Sequence, residues 1–334
     1  MRKHFVLAIA LLAIGGLLKA AEGVTPLEEV KALNFGIIST ESQINLRKDW
    51  EPFIADMEKK LGMPVKAFYA PDYAGVIEAM RFGKVHVAWY GNKSAMEAVD
   101  RSNAEVFVQT VDVNGNPGYW SLLIVHKDSE IKSLEDILKN PGKYTFGNGD
   151  PNSTSGYLVP AYYVFGLNKI DPKTHFKVVT NANHEGNALA VANKKVDVAT
   201  NNTENMDKIK EKFPDQYPNI REIWRSPLIA SDPICWRKDL PDEIKAKLKK
   251  FFLEYGKNAD AAEKDRELAI IKKLGWAPFR ESSNAQLIPI RKLALFKDRM
   301  KVESDTTISA EEKQKKLADF DAKLAALDKE HAHN

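Results

Sequence analysis

Two segments of this chain, residues 72–89 and 183–200, match each other over their whole length without a gap. Their identical pairs are Gly75/Gly186, Ala79/Ala190, Lys84/Lys195, Val85/Val196, Val87/Val198 and Ala88/Ala199. Each copy predicts a loop, a helix, a Lys-Val turn and a buried strand. The match has two explanations: chance similarity between two α/β units, or two equivalent domains that each contribute the same loop to one cleft. In the second case Tyr73 and His184, which occupy matching positions, would face each other across that cleft.

Strand and helix patterns alternate along most of the chain, which is typical of an α/β protein with largely parallel sheets. Apolar runs predict strands at residues 33–38, 65–69, 85–89, 107–111, 121–125 and 143–147. The first helix presents Trp50 and Leu61 on one apolar face, and Gly62 ends it. After Pro241 the pattern becomes helical, and an aromatic loop is predicted at 275–279.

The C-terminal segment, residues 301–334, has a different character. Its apolar residues recur at helical and heptad spacing at Ala310, Leu317, Phe320, Leu324 and Leu327. The spacing predicts an amphipathic or coiled-coil helix followed by a short tail. Two uses of its apolar stripe remain open, namely packing onto its own domain and a homodimer contact.

Three consecutive hydroxyl residues, Ser153, Thr154 and Ser155, stand where a helix is predicted to begin. They belong to the run Gly-Asp-Pro-Asn-Ser-Thr-Ser-Gly at 149–156, which lies between a predicted strand and an apolar helix at 157–165. The first N–H groups of a helix have no partner within the helix, and the peptide dipole is positive there. These donors together predict a site for a tetrahedral oxyanion. The alternative is that Ser153 or Thr154 caps the helix and does nothing more.

The N-terminal residues 1–21 predict a cleaved signal peptide, with a basic start, an apolar run at 5–18 and small residues at 20 and 21. The leader contains three of the 49 basic residues and no acidic residue before Ala20, so 46 residues of each sign remain in the mature chain. A net charge of zero argues against nucleic acid or an anionic membrane as the partner. The single cysteine, Cys235, has no partner for an internal disulfide and no His/Cys cluster suited to zinc.

With these elements placed, the chain resembles the periplasmic phosphonate-binding component of ABC-type phosphonate uptake systems. The resemblance rests on the order and spacing of the motifs at 34–39 (NFGIIS), 69–73 (YAPDY), 88–91 (AWYG), 118–121 (GYWS), 149–156 (GDPNSTSG), 201–205 (NNTEN) and 232–234 (DPI). It extends over residues 32–296 and implies the type II periplasmic binding fold, in which two α/β lobes are joined by two crossing strands. The implied organisation is a discontinuous first lobe at 22–125 plus 230–300 and a second lobe at 126–229. One copy of the internal repeat then falls in each lobe.

The resemblance also implies a set of ligand-binding residues. The head group of a phosphonate would be bound by Tyr73, Tyr119, Ser153, Thr154, Ser155 and His184. Glu204 and Asp232 match the positions that hold an ammonium group, as in 2-aminoethylphosphonate. From the residues alone, Tyr119 could pack in a core, His184 could cap a loop, and the two carboxylates could belong to a helix start and a turn. The resemblance further implies hinge closure around the ligand and delivery to an ABC membrane permease.

Three other functions remain open at this stage. An exported phosphoester or phosphonate hydrolase would need an activated nucleophile, and Ser153 or Ser155 could be combined with His184 and Asp150 into a triad, although no Gly-x-Ser-x-Gly motif is present. The same fold could bind phosphite, phosphate, a sulfonate or another oxyanion. The protein could instead sense a ligand for a receptor. We expect a binding protein without enzymatic activity, cofactor or metal, and the missing phosphate-binding loop excludes the transporter ATPase.

Overall fold

The computed structural model describes residues 29–332, so the predicted signal peptide at 1–21 lies outside the described residues. The strands are β1 (Leu33–Ile37), β2 (Val65–Tyr69), β3 (Val87–Trp89), β4 (Ala104–Asp112), β5 (Gly118–Tyr119), β6 (Ser121–His126), β7 (Thr145–Asn148), β8 (Val178–Asn181), β9 (Val198–Asn202), β10 (Ile220–Arg225), β11 (Ile229–Ala230), β12 (Pro233–Arg237) and β13 (Trp276–Glu281). The helices are α1 (Gln43–Leu61), α2 (Tyr73–Arg81), α3 (Asn92–Arg101), α4 (Leu134–Leu138), α5 (Pro172–His175), α6 (His184–Ala192), α7 (Thr203–Lys212), α8 (Asp242–Glu254), α9 (Ala261–Lys273), α10 (Ile288–Ser304) and α11 (Ala310–Ala332). A further helical segment begins at Thr154 and includes the π-helical turns Thr154–Leu158 and Ala161–Gly166. None of the helices between residues 29 and 332 is long and apolar enough to span a bilayer.

Two sheets of the same design form the two lobes. The first has the strand order β13-β4-β12-β3-β1-β2 and the second the order β10-β6-β9-β7-β8. In both sheets the three strands at one side run parallel. A strand that arrives from the other lobe, β12 or β6, pairs antiparallel with the innermost of the three, which is β3 or β9. The sheets are therefore mixed, and the expectation of largely parallel sheets was wrong, because each crossing between the lobes reverses the chain direction.

The internal repeat corresponds to α2–β3 in the first lobe and α6–β9 in the second. Asp72 caps α2 by accepting from the N–H of Gly75, and Asn183 caps α6 by accepting from the N–H of Gly186, both at 2.8 Å. Each helix then ends in a turn with a residue of positive φ, and the strands that follow hold equivalent places in the two sheets. The repeat is thus a structural equivalence of the two lobes and not a chance match.

The lobes are joined by β5 and β11, which pair antiparallel as the two crossing strands. A side chain at Gly118 would lie 2.0 Å from the carbonyl oxygen of Ile229, so glycine is required for this close approach. The boundary predicted after residue 125 was wrong, because β6 hydrogen-bonds to β9 and β10 of the second sheet. The chain leaves the first lobe at β5, and the second lobe begins with β6.

One aromatic segment of the first lobe forms a strand where a loop was expected. Residues 275–279 were expected to form a loop, but β13 pairs with β4 at the edge of the first sheet, with Trp276 and Phe279 buried. Pro278 lies within an irregularity of the pairing between Ala277 and Arg280. A bulge on an edge strand tolerates a proline that cannot donate a ladder hydrogen bond.

The C-terminal helix α11 folds back on α10 as an antiparallel hairpin. The ion pairs Lys292–Asp328 and Arg299–Asp321 join the two helices, and Leu324 is the buried apolar residue of the stripe. Part of the apolar stripe therefore packs within the chain, which is the first of its two predicted uses, while Leu317, Phe320 and Leu327 stay only partly buried. The homodimer contact through this helix remains a prediction.

Candidate functional site

The two lobes meet around a small cavity of about 40 Å³. All the residues predicted to bind ligand line it: Tyr73, Tyr119, Ser153, Thr154, Ser155, His184, Glu204 and Asp232. Other polar residues of the lining were not predicted from the sequence, namely Thr40, Glu41, Asn202, Asn205 and Lys208. Apolar walls are provided by Ile38, Trp89, Leu274 and Trp276. One enclosed site therefore receives side chains from both lobes.

Most of the polar lining comes from helix N-termini. Tyr73 and His184 are the first residues of α2 and α6, Gly91 and Asn202 are the caps of α3 and α7, and Ser153 is the cap of the segment that begins at Thr154. Thr40 and Glu41 lie just before the start of α1. Each helix start carries N–H groups that have no partner within the helix, and a partial positive charge. A convergence of helix starts of this kind favours an anion, and anion binding at this cavity stays a prediction.

The three hydroxyl side chains are held as hydrogen-bond donors. The oxygen of Ser153 accepts from the N–H of Gly156 at 2.9 Å, and that of Ser155 accepts from the Asn202 amide at 3.0 Å. Thr154 accepts from the backbone N–H of Lys93, across the cleft, at 2.8 Å. Because each oxygen already accepts a bond from the protein, its single O–H is left to donate. All three residues are only 2% exposed, so these donors are shielded from water in this structure.

His184 adds a neutral ring to this cluster. Its Nε2 lies 3.4 Å from the hydroxyl of Ser153 and 3.3 Å from the amide nitrogen of Asn202. The Asn202 amide is oriented by its other end, which accepts from the N–H of Asn205. An amide N–H directed at Nε2 makes Nε2 the acceptor and places the ring hydrogen on Nδ1, which is buried without a protein partner. Burial lowers the pKa of His184 to about 4, against the opposing charge of Glu41, so the ring is neutral at pH 7.

Asp232 and Glu204 provide the negative part of the lining. Asp232 accepts from the hydroxyl of Tyr119 at 2.9 Å and from the indole N–H of Trp89 at 3.2 Å. Burial raises the pKa of Asp232, although these two hydrogen bonds oppose the change. Burial also raises the pKa of Glu204, and the charges of Asp232 and Asp112 raise it further. Two carboxylates that disfavour their own charge in this way would be stabilised by a cation between them.

Tyr73 and Tyr119 bring phenol groups from the first lobe. Burial is the main cause that raises the pKa of both phenols well above the usual range, so both keep their hydrogen. The O–H of Tyr119 is donated to Asp232, which places Tyr119 beside the carboxylates. To bind the head group as predicted, Tyr119 would have to exchange that hydrogen bond for one to the ligand.

Charged residues from both lobes pair at the rim of the cavity. Glu41 of the first lobe binds Lys208 at 2.6 Å and also Lys212, both from α7 in the second lobe. Burial would raise the pKa of Glu41, but the two ammonium groups outweigh burial and lower it.

The unpaired buried oxygens Thr40 Oγ1 and Asn205 Oδ1 also belong to residues of the lining. Buried polar atoms without partners are rare, and these two add further capacity for a polar ligand.

The geometry does not assemble a hydrolytic triad. The carboxylate of Asp150 accepts from the backbone N–H groups of Tyr73 and Asn152, at 3.0 and 2.7 Å, and does not pair with His184 as a triad requires. Within residues 29–332 there is also no cluster of three or more His, Cys, Asp or Glu side chains that could hold a metal ion. The buried Cys235 is a free thiol whose pKa is raised by burial.

Two α/β lobes joined by two short strands, with donors and carboxylates enclosed where they meet, define a bilobal solute-binding protein. Residues 35–287 match the family described as "ABC transporter, phosphonate, periplasmic substrate-binding protein". The chain therefore belongs to the periplasmic substrate-binding proteins of phosphonate ABC transporters. The resemblance deduced from the sequence motifs is confirmed.

Individual relatives agree with this membership. The chain is 58% identical over 302 residues to the phosphonates-binding periplasmic protein of Escherichia coli strain K12, covering 90% of this chain and 87% of that protein. A binding protein component of an ABC phosphonate transporter from Pseudomonas aeruginosa has a crystal structure with a TM-score of 0.87 and 56% identity, covering 90% of this chain and 98% of that one. A more distant relative is the phosphate-import protein PhnD of Mycolicibacterium smegmatis, 27% identical over 270 residues, which are 76% of this chain and 83% of that protein. The predicted periplasmic binding fold is confirmed, and the relatives are transport components and not enzymes.

Proposed function

We propose that this protein captures 2-aminoethylphosphonate, or a phosphonate with a similarly placed ammonium group, and delivers it to an ABC permease. The observation that carries the proposal is a pair of carboxylates, the half-buried Glu204 and the buried Asp232, in the same cavity as three hydroxyl donors. The hydroxyls and the helix starts suit the phosphonate oxygens. The carboxylates suit the ammonium group at the other end of the ligand.

The roles of the remaining residues follow from their chemistry. Thr154 and Ser155 would donate their hydroxyl hydrogens to the head group, and Ser153 would turn its hydrogen from Nε2 of His184 to the head group. His184 would donate from Nδ1. Tyr73, whose phenol interacts with Ser153 and with the charge of Asp232, would bind from the opposite lobe. We also propose that cleavage of residues 1–21 releases the mature protein into the periplasm.

Titration calorimetry tests this function directly. The wild-type protein is expected to bind 2-aminoethylphosphonate at least tenfold more tightly than methylphosphonate or inorganic phosphate, about 1.4 kcal/mol of binding free energy. The reason is that only the first ligand brings an ammonium group to Glu204 and Asp232. Equal affinities for the three ligands would contradict the selectivity, and release of phosphate at a steady turnover rate would contradict a binding function.

Proton release on binding gives a second prediction. Burial raises the pKa of Asp232, and burial with the charge of Asp232 raises that of Glu204, so the pair holds protons near neutral pH. An ammonium group favours the ionised carboxylates and expels those protons. The affinity for 2-aminoethylphosphonate should therefore increase as the pH rises through the raised pKa values and decrease as the pH falls below them. Calorimetry in buffers of different ionisation enthalpy counts the protons.

Methylphosphonate is the control for that experiment, because it carries a titrating phosphonate head without the ammonium group. It should release fewer protons than 2-aminoethylphosphonate at the same pH. Equal proton counts for both ligands would show that the carboxylates do not respond to the ammonium group.

A second candidate is an inorganic oxyanion such as phosphate or phosphite. The hydroxyl cluster favours it, because those donors suit any tetrahedral oxyanion, and the Mycolicibacterium smegmatis relative is named a phosphate-import protein. Glu204 and Asp232 argue against it, since a small anion would leave both carboxylates of the cavity without a cation. The same calorimetric panel separates the two candidates.

A further inference from the structure

Three helices of the first lobe are capped by side chains of the second lobe. Glu185 accepts from the backbone N–H of Ser42, at the start of α1, at 3.2 Å. Asp150 accepts from the N–H of Tyr73, the first residue of α2, at 3.0 Å. Thr154 accepts from the N–H of Lys93, the second residue of α3, at 2.8 Å. N–H groups at these positions have no partner inside their own helix, so the opposite lobe satisfies them.

The start of α1 shows most clearly that this capping is built across the lobes. In a capping box, the third helical residue supplies a Glu or Gln that accepts from the N–H of the cap residue. Here the cap is Ser42 and the third residue is Asn45, whose side chain does not fill that role. Glu185 of the second lobe takes the position, accepting from Ser42 and, at 2.6 Å, from the side-chain amide of Asn45.

The start of α3 is also adapted to a cap from the other lobe. Its cap residue is Gly91, which has no side chain to accept a hydrogen bond. A Cβ at Gly91 would lie 3.2 Å from Oγ1 of Thr154, tighter than ordinary contact. Glycine therefore leaves room for Thr154 to accept from the N–H of Lys93 in place of a local cap.

We propose that Glu185 is a positioning residue that sets ligand affinity by capping α1 only when the two lobes are closed. It does not line the cavity, and both of its carboxylate oxygens bind the first lobe. When the lobes separate, water replaces these bonds, so they add to the stability of the closed form alone. The proposal rests on the proposed function, in that a phosphonate closes the cleft. A closed form that is less stable releases ligand faster, while the open form captures it at the same rate.

Stopped-flow measurement of ligand binding to the Glu185→Ala protein tests the proposal. The recorded signal is the fluorescence of Trp89, which lies in the cavity. The dissociation rate is expected to rise about tenfold, a change within the range of a lost helix cap. The rise should be equal for 2-aminoethylphosphonate and methylphosphonate, and the association rate should stay within twofold. The melting temperature of the ligand-free protein should not change, which separates this role from a structural one.

Two further variants complete the test. Asp260→Ala is the matched control, because Asp260 accepts from the N–H of Glu263 within one lobe, at 2.8 Å; it should lower the ligand-free melting temperature and leave the dissociation rate unchanged. Asn45→Ala should raise the dissociation rate, and the double variant with Glu185→Ala should raise it by less than the two single effects combined.

An unchanged dissociation rate in Glu185→Ala, or a loss of ligand-free stability in that variant, would overturn the proposal. Failure of the proposed selectivity would instead show in the wild-type protein, as equal affinities for the two ligands.

Discussion

Replacement of Glu204 by Gln is expected to weaken the binding of 2-aminoethylphosphonate about 100-fold, equivalent to about 2.7 kcal/mol. The amide keeps the size of the side chain but removes the negative charge that faces the ammonium group, and breaking one partner of a desolvated charge pair is among the largest single effects in binding. Methylphosphonate should bind equally well or more tightly, because the neutral amide no longer repels the charge of Asp232. That charge is one of the causes that raise the pKa of Glu204 in the wild-type protein. Calorimetry with both ligands measures the change in selectivity.

Asp207→Asn is the matched control for this variant. Asp207 lies on the same helix, α7, and its charge acts on Glu204, but its side chain does not line the cavity. It should leave the ratio of the two affinities within about twofold. If Glu204→Gln weakened both ligands equally, Glu204 would support the fold of the site and would not select the ammonium group. Asp232→Asn should change selectivity in the same direction, with an added effect on the hydrogen bonds from Tyr119 and Trp89.

Local features of the site could be predicted from the sequence because they have local causes. The cap residues Asp72 and Asn183 act on glycines three positions later, and this spacing is visible in the internal repeat. Ser153 likewise caps the segment that begins at Thr154. The sequence offered both an anion site and a simple helix cap for Ser153, and the structure shows the cap. The anion site is then possible because a capping oxygen still has its hydrogen to donate.

Features that depend on contacts between the lobes could not be predicted in this way. Thr40 and Glu41 follow β1, just as the hydroxyl run follows β7, but the equivalence of β1 and β7 appears only in the strand order of the two sheets. Glu41 pairs with Lys208 from the other lobe, more than 160 positions along the chain. The pattern of charge along one helix gives no indication of such a partner. The equivalence of the lobes was the one signal that could have found Thr40 and Glu41.

Two errors in the predicted fold have similar origins. The apolar run at 121–125 was recognised as a strand, but a strand pattern does not specify its partners, so the lobe boundary was placed at its end and not at its beginning. The glycine and proline around Trp276 favoured a loop, whereas pairing with β4 and burial of the aromatic rings stabilise an irregular strand. In both cases the tertiary pairing decided between states that the local sequence allowed.

Removal of the Ser155 hydroxyl is expected to weaken all phosphonates by a similar factor, about 100-fold. Ser155→Ala removes a donor to a charged head group, and a hydrogen bond to a charged group contributes about 1.5–3 kcal/mol. It also removes the acceptor of the Asn202 amide, which lies at 3.0 Å, so a buried N–H loses one of its partners. Because Ser155 acts on the head group common to the ligands, 2-aminoethylphosphonate and methylphosphonate should lose the same free energy. Calorimetry of both ligands with this variant gives the two losses.

Thr200→Val is the matched control, because its hydroxyl is buried in the same lobe without a hydrogen-bond partner and does not line the cavity. Loss of that hydroxyl should leave both affinities unchanged and the stability equal or slightly higher, since an unpaired buried hydroxyl contributes nothing favourable. A selective loss of 2-aminoethylphosphonate binding in Ser155→Ala would place Ser155 near the ammonium group and reverse the proposed orientation of the ligand. An equal loss in Ser155→Ala together with the selective loss in Glu204→Gln would assign the two ends of the ligand to the two sets of side chains.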